Sequence, residues 1–120
     1  MTSAEHPAVW LASSRRDVRR FPREVRRDIC HALYAAQEGE IDPSTKPLRG
    51  FGGGSVLEIV ANPDGDTCRA VYTIRYPEAI YVLHAFQKKS KRGSATPKKD
   101  MDLLHQRLAE VERQRRGKQN

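Results

Sequence analysis

The chain has 120 residues, and its 22 lysines and arginines outnumber its 15 aspartates and glutamates, giving a formal net charge of +7. This length is enough for one domain with its own apolar core, so the fold needs neither a disulfide nor a structural metal. The positive charge favours a polyanionic partner, nucleic acid or an acidic protein. No apolar run approaches the roughly 18 residues of a membrane span, and the N-terminus lacks a secretory signal pattern. We therefore expect a cytoplasmic protein without membrane contact.

The cysteine pattern argues against a metal site. Cys30 and Cys68 share no CxxC spacing with each other or with a histidine pair. The ligand spacing of a zinc site is therefore missing, and we predict neither a metal nor another cofactor. In the absence of a secretory signal, both cysteines are expected to be reduced thiols.

Residues 13–38 have the periodicity of amphipathic helices. The apolar positions, which recur every three or four residues, are Val18, Phe21, Val25, Ile29 and Leu33. Pro22 interrupts this run, and proline fits a first helical turn but not a helix interior. The pattern predicts two helices, at about residues 14–20 and 22–37, with the second ending before Gly39.

The exposed sides of these two helices are rich in arginine. The positions are Arg15, Arg16, Arg19, Arg20, Arg23, Arg26 and Arg27. The simpler interpretation is a solvated face in which Asp17, Glu24 and Asp28 pair with part of this charge. The alternative is a docking surface for RNA or for an acidic partner.

Residues 39–55 are predicted to be a connection without a regular element, because they contain two prolines and five glycines. The triple glycine at 52–54 is interpreted as a flexible segment. The alternative is a close approach of the backbone to a phosphate, although neither a Walker nor a dinucleotide fingerprint is present.

Three segments rich in β-branched and aromatic residues follow, at 56–61, 68–76 and 79–86. Their connections are short, and the first contains the hairpin signal Asp64-Gly65, so the strands should form an antiparallel meander. A last helix is expected from Thr96-Pro97, with an apolar face formed by Met101, Leu104, Leu108 and Val111. The predicted fold is α+β, with two N-terminal helices, a three-stranded antiparallel sheet and a C-terminal helix.

Alternation along the second strand places Cys68, Ala70, Tyr72 and Ile74 toward the core. Arg69 then projects to the opposite sheet face or its rim, which we expect to remain open to solvent or ligand. On this view, Arg69→Ala should leave the fold intact.

The basic residues around the sheet are predicted to converge on one concave surface. Its members are Lys46 and Arg49 from the connection, Arg69 from the second strand, and Lys88, Lys89, Lys91 and Arg92 at and after the end of the third strand. Such a surface suits single-stranded RNA. Cations would stabilise the charge that develops during phosphodiester cleavage, and a lysine whose pKa is lowered by neighbouring cations could transfer a proton.

Two further residues have alternative roles. His84 lies in an apolar strand, and a hydrogen-bonded core histidine is the simpler interpretation than a general base. Glu58 lies in the first strand, and we favour a carboxylate that braces an arginine over an acid–base group.

Three stretches carry a family resemblance that covers about residues 8–112. They are KPLRGFGGGSVLEIV, DGDTCRAVYTIRY and YVLHAFQKKSKRGSATPKKDMDLLHQRL. Together they resemble the phage-derived Gp49-like, HigB-type proteins of the RelE/ParE toxin superfamily, which belong to type II toxin–antitoxin systems. The resemblance implies one RelE-like domain over residues 1–120, with loose ends at 1–7 and 117–120.

The resemblance also implies a function. It predicts a metal-independent endoribonuclease that cleaves mRNA on the ribosome, inhibits translation and is neutralised by a HigA-like, helix-turn-helix antitoxin. Arg69 matches the arginine in the second strand of the family motif, and Lys88 and Lys89 match the basic pair after its third strand. We expect Arg69 and Lys88 to be catalytic. The chain departs from some HigB relatives in having no histidine–aspartate cluster after the third strand. The alternatives are a non-catalytic module that binds RNA or protein, and a gyrase-directed toxin of the same fold.

Overall fold

The structure is a computed structural model that describes residues 6–61, 67–88 and 96–118. These residues form an α+β fold, as predicted. The strands are β1 (Ala8–Trp10), β2 (Thr45–Pro47), β3 (Val56–Ala61), β4 (Thr67–Thr73) and β5 (Ile80–Lys88), and the helices are α1 (Ser14–Arg19), α2 (Arg23–Gln37) and α3 (Lys98–Lys118). No helix in these ranges combines the length and the apolar character needed to cross a membrane.

The sheet has five strands in the order β1-β5-β4-β3-β2. Its centre is the predicted antiparallel meander of β3, β4 and β5, but the prediction of a three-stranded sheet was wrong. One added edge strand, β1, runs parallel to β5, and the other, β2, is antiparallel to β3. Each has three residues, which is too short to show an alternating pattern in the sequence.

Both edge strands lie in segments for which the sequence predicted no regular structure. Residues 6 and 7 are tied down by backbone hydrogen bonds: the Ile80 amide donates to Pro7 O at 2.9 Å, and the His6 amide donates to Gln37 O at 3.2 Å. In β2, Pro47 is tolerated because an edge strand does not need every amide for the ladder.

Helices α1 and α2 pack against one face of the sheet. Five apolar side chains of α2 are buried there: Val25, Ile29, Ala32, Leu33 and Ala36. The predicted core residues of β4, Cys68, Ala70 and Tyr72, belong to the same cluster, but Ile74 is 43% exposed because β4 ends at Thr73. The predicted amphipathic helices therefore form the main core.

Both ends of α2 follow from the sequence. Pro22 precedes the first helical residue with an extended ψ of 152°, and its carbonyl accepts from the Arg26 amide. At the other end, Gly39 adopts a positive φ of 86°. The Glu40 amide donates to Ala35 O at 2.8 Å, which completes a Schellman motif.

The chain divides into two compact units between residues 89 and 90. The described part of the second unit consists mainly of α3, along which Leu104, Leu108 and Val111 are buried as predicted. The helix continues to Lys118 and so includes Gly117, for which the sequence predicted a frayed end. The predicted single-domain organisation stays a prediction.

The glycine-rich loop before β3 contains two glycines with left-handed backbone angles and is held by contacts from the end of β4. Gly52 and Gly53 have positive φ angles of 67° and 134°, and the Phe51 side chain is buried. The Arg75 guanidinium donates to Phe51 O at 3.1 Å and to Ser55 Oγ at 3.2 Å. The loop is thus anchored from the end of β4.

This conformation predicts opposite effects for two neighbouring substitutions. A Cβ added at Gly53 or at Gly54 meets no atom within 4 Å, but only Gly53 has a positive φ. We expect Gly53→Ala to lower the free energy of unfolding by about 1–2 kcal/mol, because an L residue is strained in that conformation. Gly54→Ala should be neutral or stabilise by about 0.4–1 kcal/mol. Urea unfolding of the two variants checks this, and equal effects would show that the loop is not held at Gly53.

Tyr72 provides a pH-dependent test of the core. Its side chain is completely buried, and this burial, together with a smaller contribution from the charge of Asp42, raises the pKa of its hydroxyl to about 12. The Thr45 hydroxyl lies close enough to oppose the increase, although it does not meet hydrogen-bond geometry with Tyr72.

A raised pKa means that the folded state retains the Tyr72 proton at pH values where the unfolded chain has lost it. Stability should therefore fall as the pH rises from about 10 to 12, by about 1.4 kcal/mol at pH 11 relative to pH 8. Tyr72→Phe should remove the part of the fall in stability between pH 8 and pH 11 that comes from the Tyr72 hydroxyl. Urea unfolding of both proteins at pH 8 and pH 11 measures it, and an unchanged pH dependence in the variant would contradict the prediction.

Candidate functional site

A β-bulge in β5 decides which side chains form the candidate site. Val71 of β4 pairs with His84, whereas the next residue, Tyr72, pairs with Val82, so Leu83 is an extra residue in β5. Val82 and Ala85 accordingly both pack in the helix-covered core. The bulge reverses the alternation and turns His84, together with Phe86 and Lys88, to the opposite face of the sheet.

Glu58 and Arg69 form an ion pair on this opposite face. Arg69 Nη1 donates to Glu58 Oε1 at 3.0 Å, and the two side chains are 5% and 1% exposed. The predicted role of Glu58 as a brace for an arginine is therefore confirmed. The prediction that Arg69 projects to an open face was wrong, since Glu58, Arg69, Val71 and Thr73 are all buried.

Lys88 and Lys46 extend this pair into a charged cluster. Lys88 is buried, and burial lowers the pKa of its ammonium group; the positive charges of Arg69 and Lys46 lower it further, while Glu58 opposes them. The exposed Lys46 lies directly opposite Glu58 in the β2–β3 register. The structure thus brings together three of the predicted basic residues around one carboxylate, and we call these four side chains the sheet cluster.

An aromatic pair lies on the same face as the sheet cluster. The rings of His84 and Phe86 stack with centroids 4.9 Å apart and an angle of 20° between their planes. His84 is buried and Phe86 is half-buried. The sequence indicated the ring types but not their common face, because the bulge cannot be read from the alternation.

Of the other predicted site residues, only Arg49 falls within the described residues. Arg49 is exposed in the turn after β2. Lys89, Lys91 and Arg92 lie outside the described residues, as does the hairpin signal Asp64-Gly65. Within the ranges that the structure describes, no three histidine, cysteine or acidic side chains are grouped as potential metal ligands.

Comparison with known proteins shows the family. Residues 16–109, more than three quarters of the chain, match the family described as "Phage derived protein Gp49-like (DUF891)". This family is associated with toxins of toxin–antitoxin systems. The chain belongs to the Gp49-like family, which confirms the resemblance stated from the sequence. No curated protein matches the chain.

The sequence predicted that Arg69→Ala would leave the fold intact. The buried ion pair predicts instead that this substitution lowers stability. Removing either partner breaks the buried pair, and the charge that stays behind loses the group that it contacts at 3.0 Å. We expect Glu58→Ala, and likewise Arg69→Ala, to lower the free energy of unfolding by about 3–5 kcal/mol. The double variant Glu58→Leu/Arg69→Met should recover most of this loss, because two apolar side chains of similar volume replace the pair.

Urea unfolding measures all three variants. Lys98→Ala is a suitable control, because its partner Asp102 is 60% exposed and their ion pair is at the surface. It should leave stability unchanged within experimental error. Single variants at Glu58 and Arg69 that behave like this control would contradict a buried pair.

Proposed function

We propose that the protein is a toxin that cleaves mRNA on the ribosome, is neutralised by a HigA-like, helix-turn-helix antitoxin and acts in the cytoplasm. The family supports the toxin–antitoxin context. The observation that carries the enzymatic part is Lys88, a buried ammonium group whose pKa is lowered beside a guanidinium held by a carboxylate. Groups with perturbed pKa values next to a specific charge partner are candidates for catalysis.

The proposed reaction needs only the RNA and the protein's side chains. The 2′-oxygen of a ribose attacks the adjacent phosphorus as its proton is removed, and the bond from phosphorus to the 5′-oxygen breaks. The leaving 5′-oxygen takes up a proton, so that the products are a 2′,3′-cyclic phosphate and a 5′-hydroxyl. Arg69 and Lys88 would stabilise the charge on the phosphate oxygens in the transition state.

Lys88 is suited to a second role in this reaction. A lysine with a lowered pKa releases and regains its proton more readily near neutral pH than an ordinary lysine. It could act either as the base that takes the 2′-proton or as the acid that protonates the leaving oxygen. Glu58 would hold Arg69 in position and would not itself exchange a proton.

The exposed side chains around the sheet cluster suggest how RNA approaches it. Lys46 is exposed next to Glu58, and Phe86 is half-buried on its stacked histidine. A phosphate could therefore meet Lys46 first, and a base could stack on the Phe86 ring. Arg49, Lys89, Lys91 and Arg92 are proposed to contact the flanking RNA.

A second candidate function is a non-catalytic module that binds RNA or protein. The observation that favours it is the near-complete burial of Arg69 and its neutralisation by Glu58, which is typical of a structural ion pair. Cleavage and binding assays on the same variants distinguish the two candidates.

We expect Lys88→Met to lower the rate of mRNA cleavage by about 100-fold or more, because proton transfer by a positioned group contributes on that order. Lys88→Arg should keep RNA binding, since the positive charge remains, but it should lose the proton-transfer part of the rate. The measurement is the mapping of 5′ ends on a defined mRNA translated by purified ribosomes with added protein. Lys99→Met is the matched control, because it removes one exposed lysine charge in α3.

A free-RNA assay at high protein concentration, with and without EDTA, tests the metal-independent reaction without disturbing ribosomes. Cleavage should persist in EDTA. Absence of new mRNA ends from a wild-type protein that still binds ribosomes or RNA would leave the binding module as the function. Inhibition of gyrase in place of mRNA cleavage would assign the protein to the gyrase-directed toxins.

A further inference from the structure

A second basic surface lies on the other side of the sheet from Glu58, Arg69 and Lys88. It is a groove of about 510 Å³ along α1 and α2. Its lining includes the side chains of Trp10, Arg15, Arg19, Arg23, Arg26 and Arg27. No carboxylate lines it. We call it the arginine groove.

The arginines of the groove are not neutralised by the protein. Within the described residues, none of the five forms a salt bridge, and the predicted pairing with Asp17, Glu24 and Asp28 is wrong. Asp17 instead accepts a hydrogen bond from Ser13 Oγ at 2.8 Å. The Nε atom of Arg26 is buried and has no hydrogen-bond partner. A buried donor without an acceptor is costly.

The arrangement also places like charges close together. Arg15 and Arg19 in α1, and Arg23 and Arg27 in α2, are separated by four residues and therefore lie on the same helix face. Like charges at this spacing destabilise a helix, and within the described residues none of these four arginines forms a salt bridge that would offset the repulsion. The groove is thus costly for the free protein and becomes favourable when a polyanion occupies it.

The composition of the groove favours nucleic acid over an acidic protein as the polyanion that it binds. Arginine and tryptophan are enriched in protein–protein interfaces as well, but the core of such an interface is depleted in charged residues taken together, whereas interfaces with nucleic acid are polar and strongly positive. Five arginines without a carboxylate in the lining match the second kind of interface. Guanidinium groups form bidentate hydrogen bonds with phosphate. The half-buried Trp10 adds an aromatic ring at the groove.

We propose that the arginine groove is a second RNA-binding surface, which holds the phosphate backbone of structured RNA independently of the cleavage site. It takes RNA as the partner from the proposed function but does not depend on cleavage. The protein would thereby contact RNA on both faces of its sheet, with the groove fixing its position and the sheet cluster meeting the strand to be cut.

The test uses an RNA hairpin with a fully paired stem and 2′-O-methyl riboses. This probe cannot be cleaved by 2′-oxygen attack, so its binding does not require an active enzyme. Trp10 is the only tryptophan of the chain and lies in the groove, so its fluorescence reports on occupancy directly. Fluorescence anisotropy of the labelled hairpin measures binding at any surface.

The groove variant is Arg19→Gln/Arg23→Gln. The matched control is Arg16→Gln/Arg20→Gln, which removes the same charge from exposed neighbours that do not line the groove. We expect the groove variant to bind the hairpin at least about 10-fold more weakly, with a log–log salt slope reduced by about 1.5–2. The control should change affinity less than about 2-fold, and hairpin binding should alter Trp10 emission. Because the probe cannot be cleaved, a protein that shows no mRNA cleavage still gives a valid result in this binding test.

Three results would overturn the proposal. Equal losses for the two double variants would mean that only net charge matters. Hairpin binding without a change in Trp10 emission would place the RNA elsewhere. Tighter, groove-dependent binding of polyglutamate than of the hairpin would assign the groove to an acidic protein. Thermal unfolding of each variant shows that the measured losses do not come from unfolding.

Discussion

The buried ion pair between Glu58 and Arg69 is the constraint on which one whole face of the sheet depends. Neither charge can be left alone in this environment, so β3 and β4 must keep the register that brings Arg69 Nη1 to the Glu58 carboxylate. The same requirement fixes the position of the guanidinium that lowers the pKa of Lys88. The pair that fixes the register of β3 and β4 therefore also sets the electrostatic environment of Lys88.

The β-bulge at Leu83 divides β5 into two halves whose side chains alternate in opposite phase. Before the bulge, Ile80 and Val82 face the helices, and after it Ala85 continues that core while His84, Phe86 and Lys88 turn away. A regular strand would have put Val82 and Lys88 on the same face. The extra residue allows a strand that is apolar at its start to deliver a lysine to the charged face at its end.

The positive charges on the two faces of the sheet differ in burial and in pairing with carboxylates. On one face, the Glu58 carboxylate partly neutralises Arg69, and burial lowers the pKa of Lys88. On the other face, the guanidinium groups of α1 and α2 are without carboxylate partners in the described part of the chain. Buried cations next to a carboxylate, such as Arg69 and Lys88, suit proton transfer and transition-state stabilisation. Unpaired arginines at the surface suit the binding of a polyanion. Positive charge therefore lies on both faces of the sheet in the described residues.

The sequence by itself determined the elements whose signal is periodic and long. The apolar spacing from Val18 to Leu33, interrupted by Pro22, fixed two helices, and the β-branched runs fixed β3, β4 and β5. It also indicated the family and the bracing role of Glu58. Only the tertiary structure decided the edge strands β1 and β2, because three-residue strands are defined by their partners and not by their own pattern. It also decided the burial of Arg69 and the face of Lys88, because the partner of a charge and the position of a bulge depend on residues that are distant in the chain.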